Sequence, residues 1–130
     1  MCIRDRLGAF ISKPIEGSIR LNDKVQIQKL KDVLSYIRKN IDKNITLEEL
    51  AQVSGMSPRY FCRVFRNMTG RTPIDYVNYY RIETASQMLI TTGESVTEIA
   101  LNCGFNDMSY FSKTFKKFKG ISPSKFRQTL

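Results

Sequence analysis

Arg59, Arg63 and Arg66 recur at helical spacing between Ser57 and Arg71, a window with Arg71 as a fourth base and no acid. Lys113, Lys116, Lys117, Lys119, Lys125 and Arg127 fall between Met108 and Arg127, again with no acid. These 35 residues of 130 hold 10 of the 21 basic groups and none of the 12 acids. The other 95 residues carry 11 bases against 12 acids, so the whole net charge of +9 lies in two blocks. Bases gathered this way suit a polyanion, because neutralising its charges releases condensed counterions. Arginine also has a planar fork that matches the two guanine acceptors in a DNA major groove.

Other chemistries have little to work with. There is no histidine, which removes Cys/His zinc fingers and the Ser-His-Asp and Cys-His arrangements together. Cys2, Cys62 and Cys103 are odd in number, with no CxxC pair. Neither a disulfide framework nor a Cys-only metal site is expected, and a reducing cytoplasm fits best. No P-loop occurs, and Glu49 and Glu98 are accounted for as helix caps. Catalytic residues, metal ligands and cofactors are all expected to be none, and the chain is not expected to be an enzyme. The longest uncharged stretch, Thr84 to Gly93, is too short and polar to span a bilayer. Charges in Met1 to Arg6 stand where a secretory signal needs an apolar run.

The elements that carry the basic blocks are legible from caps and periodicity. Thr46 and Glu49 have capping-box spacing, Leu47, Leu50 and Ala51 give an apolar side, and Gly55 ends that helix. Ser57-Pro58 starts a second helix closed by Gly70, with Phe61, Val64, Phe65 and Met68 as its buried stripe. Arg59, Cys62, Arg63 and Arg66 follow the same period on its opposite face. This is helix, short turn, helix, with the basic face on the second helix. Forty-nine residues on, Val96, Glu98, Ile99, Ala100 and Gly104 repeat Leu47, Glu49, Leu50, Ala51 and Gly55. After one inserted residue, Tyr110, Phe111, Lys113, Phe115, Gly120, Pro123 and Phe126 repeat Tyr60, Phe61, Arg63, Phe65, Gly70, Pro73 and Tyr76. Ser95 caps the first helix of this copy, and Asn106 or Asp107 the second. There Phe111, Phe115 and Phe118 face inward, leaving Met108, Ser109, Ser112, Lys113 and Lys116 outward.

Two longer helices complete the reading. Asp23 to Ile41 places Ile27, Leu30, Leu34, Ile37 and Ile41 on one side. Pro73 to Thr91 has no breaker and contains Ile74, Val77, Ile82, Ala85 and Leu89. At about 1.5 Å per residue it is a rod of roughly 28 Å, near the roughly 34 Å between successive major-groove faces of B-DNA. Ser122-Pro123 starts a short last helix. The expected fold is all-α, about seven helices, with two helix-turn-helix subdomains joined by a long linking helix.

These residues resemble AraC/XylS-type bacterial transcription regulators. The likeness rests on Ser57 to Gly70, on Arg81-Ile82 with Ala85 and Leu89, and on Ser95 to Ala100. It continues through Gly104-Phe105, Asp107, Ser109 to Lys117 and Gly120 to Arg127. The resemblance implies promoter DNA as partner and regulation of transcription, most often activation, with RNA polymerase as a further partner. By position it implies base reading by Arg59, Cys62 and Arg63 in the first copy, and by Met108, Ser109, Ser112 and Lys113 in the second. Arg59 and Arg63 have phosphate binding as their alternative. Cys62 is either a thymine-methyl contact or simply small and neutral, and Met108 raises the same question. Arg66, Arg71, Lys116 and Lys117 are expected at phosphates. Arg81 is expected either at a phosphate or as a brace.

The expected organisation is an N-terminal segment over 1–22 and a DNA-binding domain over 23–130. The latter divides into subdomains at 23–72 and 93–130 with the linking helix at 73–92. Leu7 to Asn22 reads as linker, so a fragment of a longer regulator is expected, with any homodimer made through a region outside this chain. The expected location is the cytoplasm, at the nucleoid. A non-specific architectural nucleic-acid binder is the main rival, and a basic module for an acidic protein or membrane surface is third. Charge alone permits both; the duplicated caps, turns and outward faces favour paired groove insertion.

Overall fold

Thr46, Ser57, Ser95, Asp107 and Ser122 each hold extended backbone one residue before a helix. Each side chain accepts an amide hydrogen from the turn that follows, meeting a donor the helix leaves open. These caps set the helix starts. The computed structural model describes residues 21–129. Among them are seven helices and no strand: α1 Leu21–Lys39, α2 Leu47–Ser54, α3 Pro58–Thr69, α4 Pro73–Thr91, α5 Val96–Asn102, α6 Met108–Lys119 and α7 Pro123–Gln128. Helix α1 starts and stops two residues before the expected span. Met1 to Arg6 and most of the expected linker lie outside the described residues.

The chain forms two compact units. The first joins α1 to Thr46–Asp75, and the second joins Asn40–Ile45 to Tyr76 and all that follows. In the first unit Leu30, Val33, Leu34 and Ile37 of α1 are buried, as are Leu50 and Ala51 of α2 and Phe61, Phe65 and Met68 of α3. Helix α1 packs on α2 and α2 on α3. Tyr36 on α1 donates to Glu49 Oε2 on α2 at 2.6 Å. That hydrogen bond, joined by Thr46's, holds the Glu49 carboxyl below its ordinary range and pushes the Tyr36 phenol up. The core of the second unit is Ile82, Ala85, Leu89, Ile99, Ala100, Cys103, Phe105, Phe111 and Phe115. Val64 and Phe118, expected inside, are only half-buried, and Ile74 is exposed.

Helix α4 is therefore more than a connector. From Tyr76 onward it supplies one wall of the second core, through Ile82, Ala85 and Leu89. It is also the counterpart of α1. Both helices have 19 residues, and Leu30, Val33, Leu34 and Ile37 correspond, 52 positions on, to the buried Ile82, Ala85, Ser86 and Leu89. The duplicated piece is a three-helix unit, not a helix-turn-helix alone. After α1 the loop runs from Asn40 to Thr46, and after α4 only from Thr92 to Ser95. Those three extra residues shorten the offset from 52 to 49, which hides the first third of the repeat.

Candidate nucleic-acid interface

Helix α3 is positioned by the buried ring pair Phe61–Phe65, whose centroids lie 5.6 Å apart. With both rings fully buried, helical geometry turns Arg59, Arg63 and Arg66 to solvent, and all three are exposed. Cys62 lies on the same side but is half-buried. Helix α6 is fixed the same way by Phe111 and Phe115, 5.8 Å apart, with Phe105 edge-on to Phe111 at 5.0 Å. Ser109, Ser112, Lys113, Lys116 and Lys117 are exposed on it. Of the two cap candidates, Asp107 supplies the bond, accepting from Ser109 N at 2.8 Å and Tyr110 N at 3.2 Å.

Each turn before these helices needs a left-handed residue, and for different reasons. Gly55 has φ +72 and open space where a Cβ would sit. Gly104 has φ +89, and a Cβ there would lie 2.4 Å from Ile41 O and 2.9 Å from Arg81 Nε. The second turn is closed by neighbours as well as by backbone sterics.

Two expected residues, Met108 and Arg71, are placed differently from the expectation, and Arg81 takes the brace, one of its two expected roles. Met108 is half-buried and packs on the second core, because it stands in the first turn beside Phe105 and the α6 rings, so it is not on the outward face. Arg81 donates from Nε to Ile41 O at 3.1 Å and from Nη2 to Lys43 O, with its guanidinium 5.9 Å from the Phe105 ring. Burial lowers its pKa from the usual value. It braces the Asn40–Ile45 segment to α4 within the second unit, and those donors are spent there rather than on a phosphate. Arg71 pairs with Asp75 at 3.3 Å across the first turn of α4. Lys117 lies with its ammonium 5.2 Å over the Phe118 ring.

Two other bases of the charged windows also serve the fold. Lys119 pairs with Glu83. Arg127 donates to Leu89 O and Thr92 O, each at 3.2 Å, which ties α7 to the carbonyl end of α4, where a cation is favoured. The outward charge of the two windows thus reduces to Arg59, Arg63 and Arg66 in one unit and Lys113, Lys116, Lys117 and Lys125 in the other.

Two polar pairs escaped the sequence reading. Gln26 Nε2 on α1 donates to the Tyr60 hydroxyl on α3 at 2.8 Å, and Asn78 Nδ2 on α4 donates to the Tyr110 hydroxyl on α6 at 2.9 Å. The repeat aligns Tyr60 with Tyr110, but partners 34 and 32 residues away leave no spacing signal. Asn78, Tyr110, Lys113, Thr114, Lys117 and Phe118 line a shallow cavity of about 360 Å³ between α4 and α6.

Residues 50–129 match the family described as helix-turn-helix domain. A crystal structure of an AraC-type DNA-binding-domain regulator from Chromobacterium violaceum shares 30% identity and a TM-score of 0.74, covering 79% of this chain and 92% of that one. The chain belongs to the AraC-type helix-turn-helix family. That family is one of DNA-binding transcription regulators. The DNA-binding domain of AdpA, solved in complex with a target DNA, is 31% identical with a TM-score of 0.74, over 78% of this chain and 91% of that one. The MmsAB operon regulatory protein of Pseudomonas aeruginosa is 36% identical over 72% of this chain. This chain spans only 31% of that regulator's length. Among the described residues, no helix is long and apolar enough to cross a membrane, and no group of three or more acidic or cysteine side chains could hold a metal.

Proposed function

We propose that this AraC-type chain binds double-stranded promoter DNA sequence-specifically and activates transcription, inserting α3 and α6 into adjacent major-groove segments. The observation that carries this reading is the pair of outward faces. Each lies on the second helix of a helix-turn-helix, each is basic and acid-free, and each is held by buried rings on the opposite side. The likeness to a domain solved on its target DNA supports a duplex as the partner, and the roughly 28 Å of α4 suits the groove repeat.

In this reading Arg59 and Arg63 read bases in one segment, with Cys62 a small neutral neighbour. Ser109, Ser112 and Lys113 read bases in the other. Arg66, Lys116 and Lys117 bind phosphates and contribute affinity without sequence information. The domain assignment is one DNA-binding domain from residue 23 onward. RNA polymerase is the further partner, any homodimer forms through a region outside this chain, and the site of action is the nucleoid.

Selection from a random duplex library tests the proposal. The expected result is one enriched motif, bound at least about a thousandfold more tightly than random duplex at physiological salt. A library that returns no motif overturns sequence-specific regulation and leaves a general basic binder.

A further inference from the structure

The exposed tyrosines Tyr60 and Tyr110 occupy equivalent positions on α3 and α6, at 42% and 49% exposure. Each phenol oxygen accepts a hydrogen bond from a carboxamide on the long helix of its own unit. The carboxamides are equivalent too. Gln26 is the sixth residue of α1 and Asn78 the sixth of α4. Side chains of different length at matching positions still bring the amide nitrogen to 2.8 and 2.9 Å. The arrangement is built twice from different residues.

Stability is a weak reason for such a pair. An exposed hydrogen bond between neutral groups replaces equivalent bonds to water and contributes little. Its effect is directional. A phenol has one proton to donate, and the amide occupies its acceptor side. Among the described residues no acceptor takes the proton of either phenol, so each O–H is available to an acceptor outside the chain. On α6 Tyr110 and Lys113 line the same cavity. A phenol donor that shares a cavity with a lysine suits an anionic oxygen acceptor.

We infer that Asn78–Tyr110 and Gln26–Tyr60 are two copies of one backbone-phosphate seat, each aiming a phenol O–H at a DNA phosphate to set its helix's register in the groove. This rests on the DNA-binding reading above and adds to it two positioning pairs, neither of them basic. Because a neutral donor releases no counterion, the seat has a signature distinct from that of a lysine.

The test compares Tyr110→Phe and Tyr60→Phe with the parent chain on the selected duplex and on random duplex, across a salt series. Each variant is expected to keep the parent's Tm and to lose about tenfold in affinity on both duplexes, since one bond to a charged acceptor is removed. The salt slope should not change. Lys116→Ala, a charged phosphate contact in the proposed reading, should instead flatten the slope. Asn78→Asp should lose more than Tyr110→Phe, because the carboxylate takes the phenol proton and repels the phosphate. A methylphosphonate scan then places the seat: at one position the parent loses affinity and Tyr110→Phe loses nothing further. Unchanged binding by Tyr110→Phe overturns the inference, as does a loss equal at every methylphosphonate position. If no motif is selected, sequence-specific regulation fails, while the loss on random duplex still decides the phosphate seat.

Discussion

The two units repeat one three-helix plan, to which the second adds α7, and use different side chains to execute it. Where Tyr36 of the first unit donates to Glu49, the second has Met88, which touches Cys103 at 3.8 Å between the sulfurs. The first unit thus carries a polar clasp between its long helix and α2, and the second an apolar one. The outward faces differ in the same spirit. Helix α3 presents three arginines, whose forks suit paired acceptors, and α6 presents two serines with lysines, which act as point charges. The turns differ most. Gly55 stands in open space, whereas Gly104 lies against the Ile41 carbonyl and the Arg81 guanidinium. The second turn is therefore wedged by its surroundings, and the first is set by its own backbone. A duplicated scaffold can keep its helix positions while its clasps, charges and turns diverge.

The largest expected effect breaks that last contrast. Gly104→Ala should destabilise the fold by about 2–5 kcal/mol, from left-handed strain plus a clash with a backbone oxygen. Gly55→Ala should cost about 1 kcal/mol, from conformation alone. Urea unfolding of both variants measures the difference; equal costs would mean that the Gly104 site relaxes freely.

Next comes the division of the cations into outward and inward. Arg63→Ala should cost about 1–3 kcal/mol and relax preference at one base position, whereas Arg66→Ala should weaken every duplex alike and lower the salt slope by about 1. Arg81→Ala should lower Tm and leave the salt slope unchanged, because its donors are held by Ile41 and Lys43. A lowered slope for Arg81→Ala would return that residue to the phosphate contacts.

The smallest effect concerns the thiols. Burial pushes the Cys103 pKa up to about 11, from an ordinary value near 9. The neutral buried thiol therefore contributes stability that is complete below about 9 and is lost as pH rises through about 11. At neutral pH iodoacetamide should label half-buried Cys62 in the native chain and reach Cys103 only on unfolding. Peptide mapping reads this directly, and equal labelling would mean that the second core opens readily.

Much of this was legible in the sequence, for identifiable reasons. Caps such as Thr46, Ser57 and Ser95 act within three residues, so they fix helix starts without tertiary information. Phenylalanines at helical spacing fixed which face of α3 and α6 is turned in. What stayed hidden depends on long-range pairing. The equivalence of α1 and α4 is masked by a longer loop and by exchanges such as Leu34 for Ser86. Arg71, Arg81, Lys119 and Arg127 counted as positive charge in the sequence, yet their partners are acids, carbonyls and a ring supplied by the fold. Met108 read as outward by period and is drawn in by Phe105 and its neighbours.

The central claim is that the two outward faces read two separate stretches of one site. Library selection with the parent chain, Arg63→Ala and Lys113→Ala in parallel tests it most directly. The parent should return a motif with two information-rich segments about one helical turn apart. Arg63→Ala should lose information in one segment only, and Lys113→Ala in the other only. A single short segment, or two variants that erode the same bases, would contradict it.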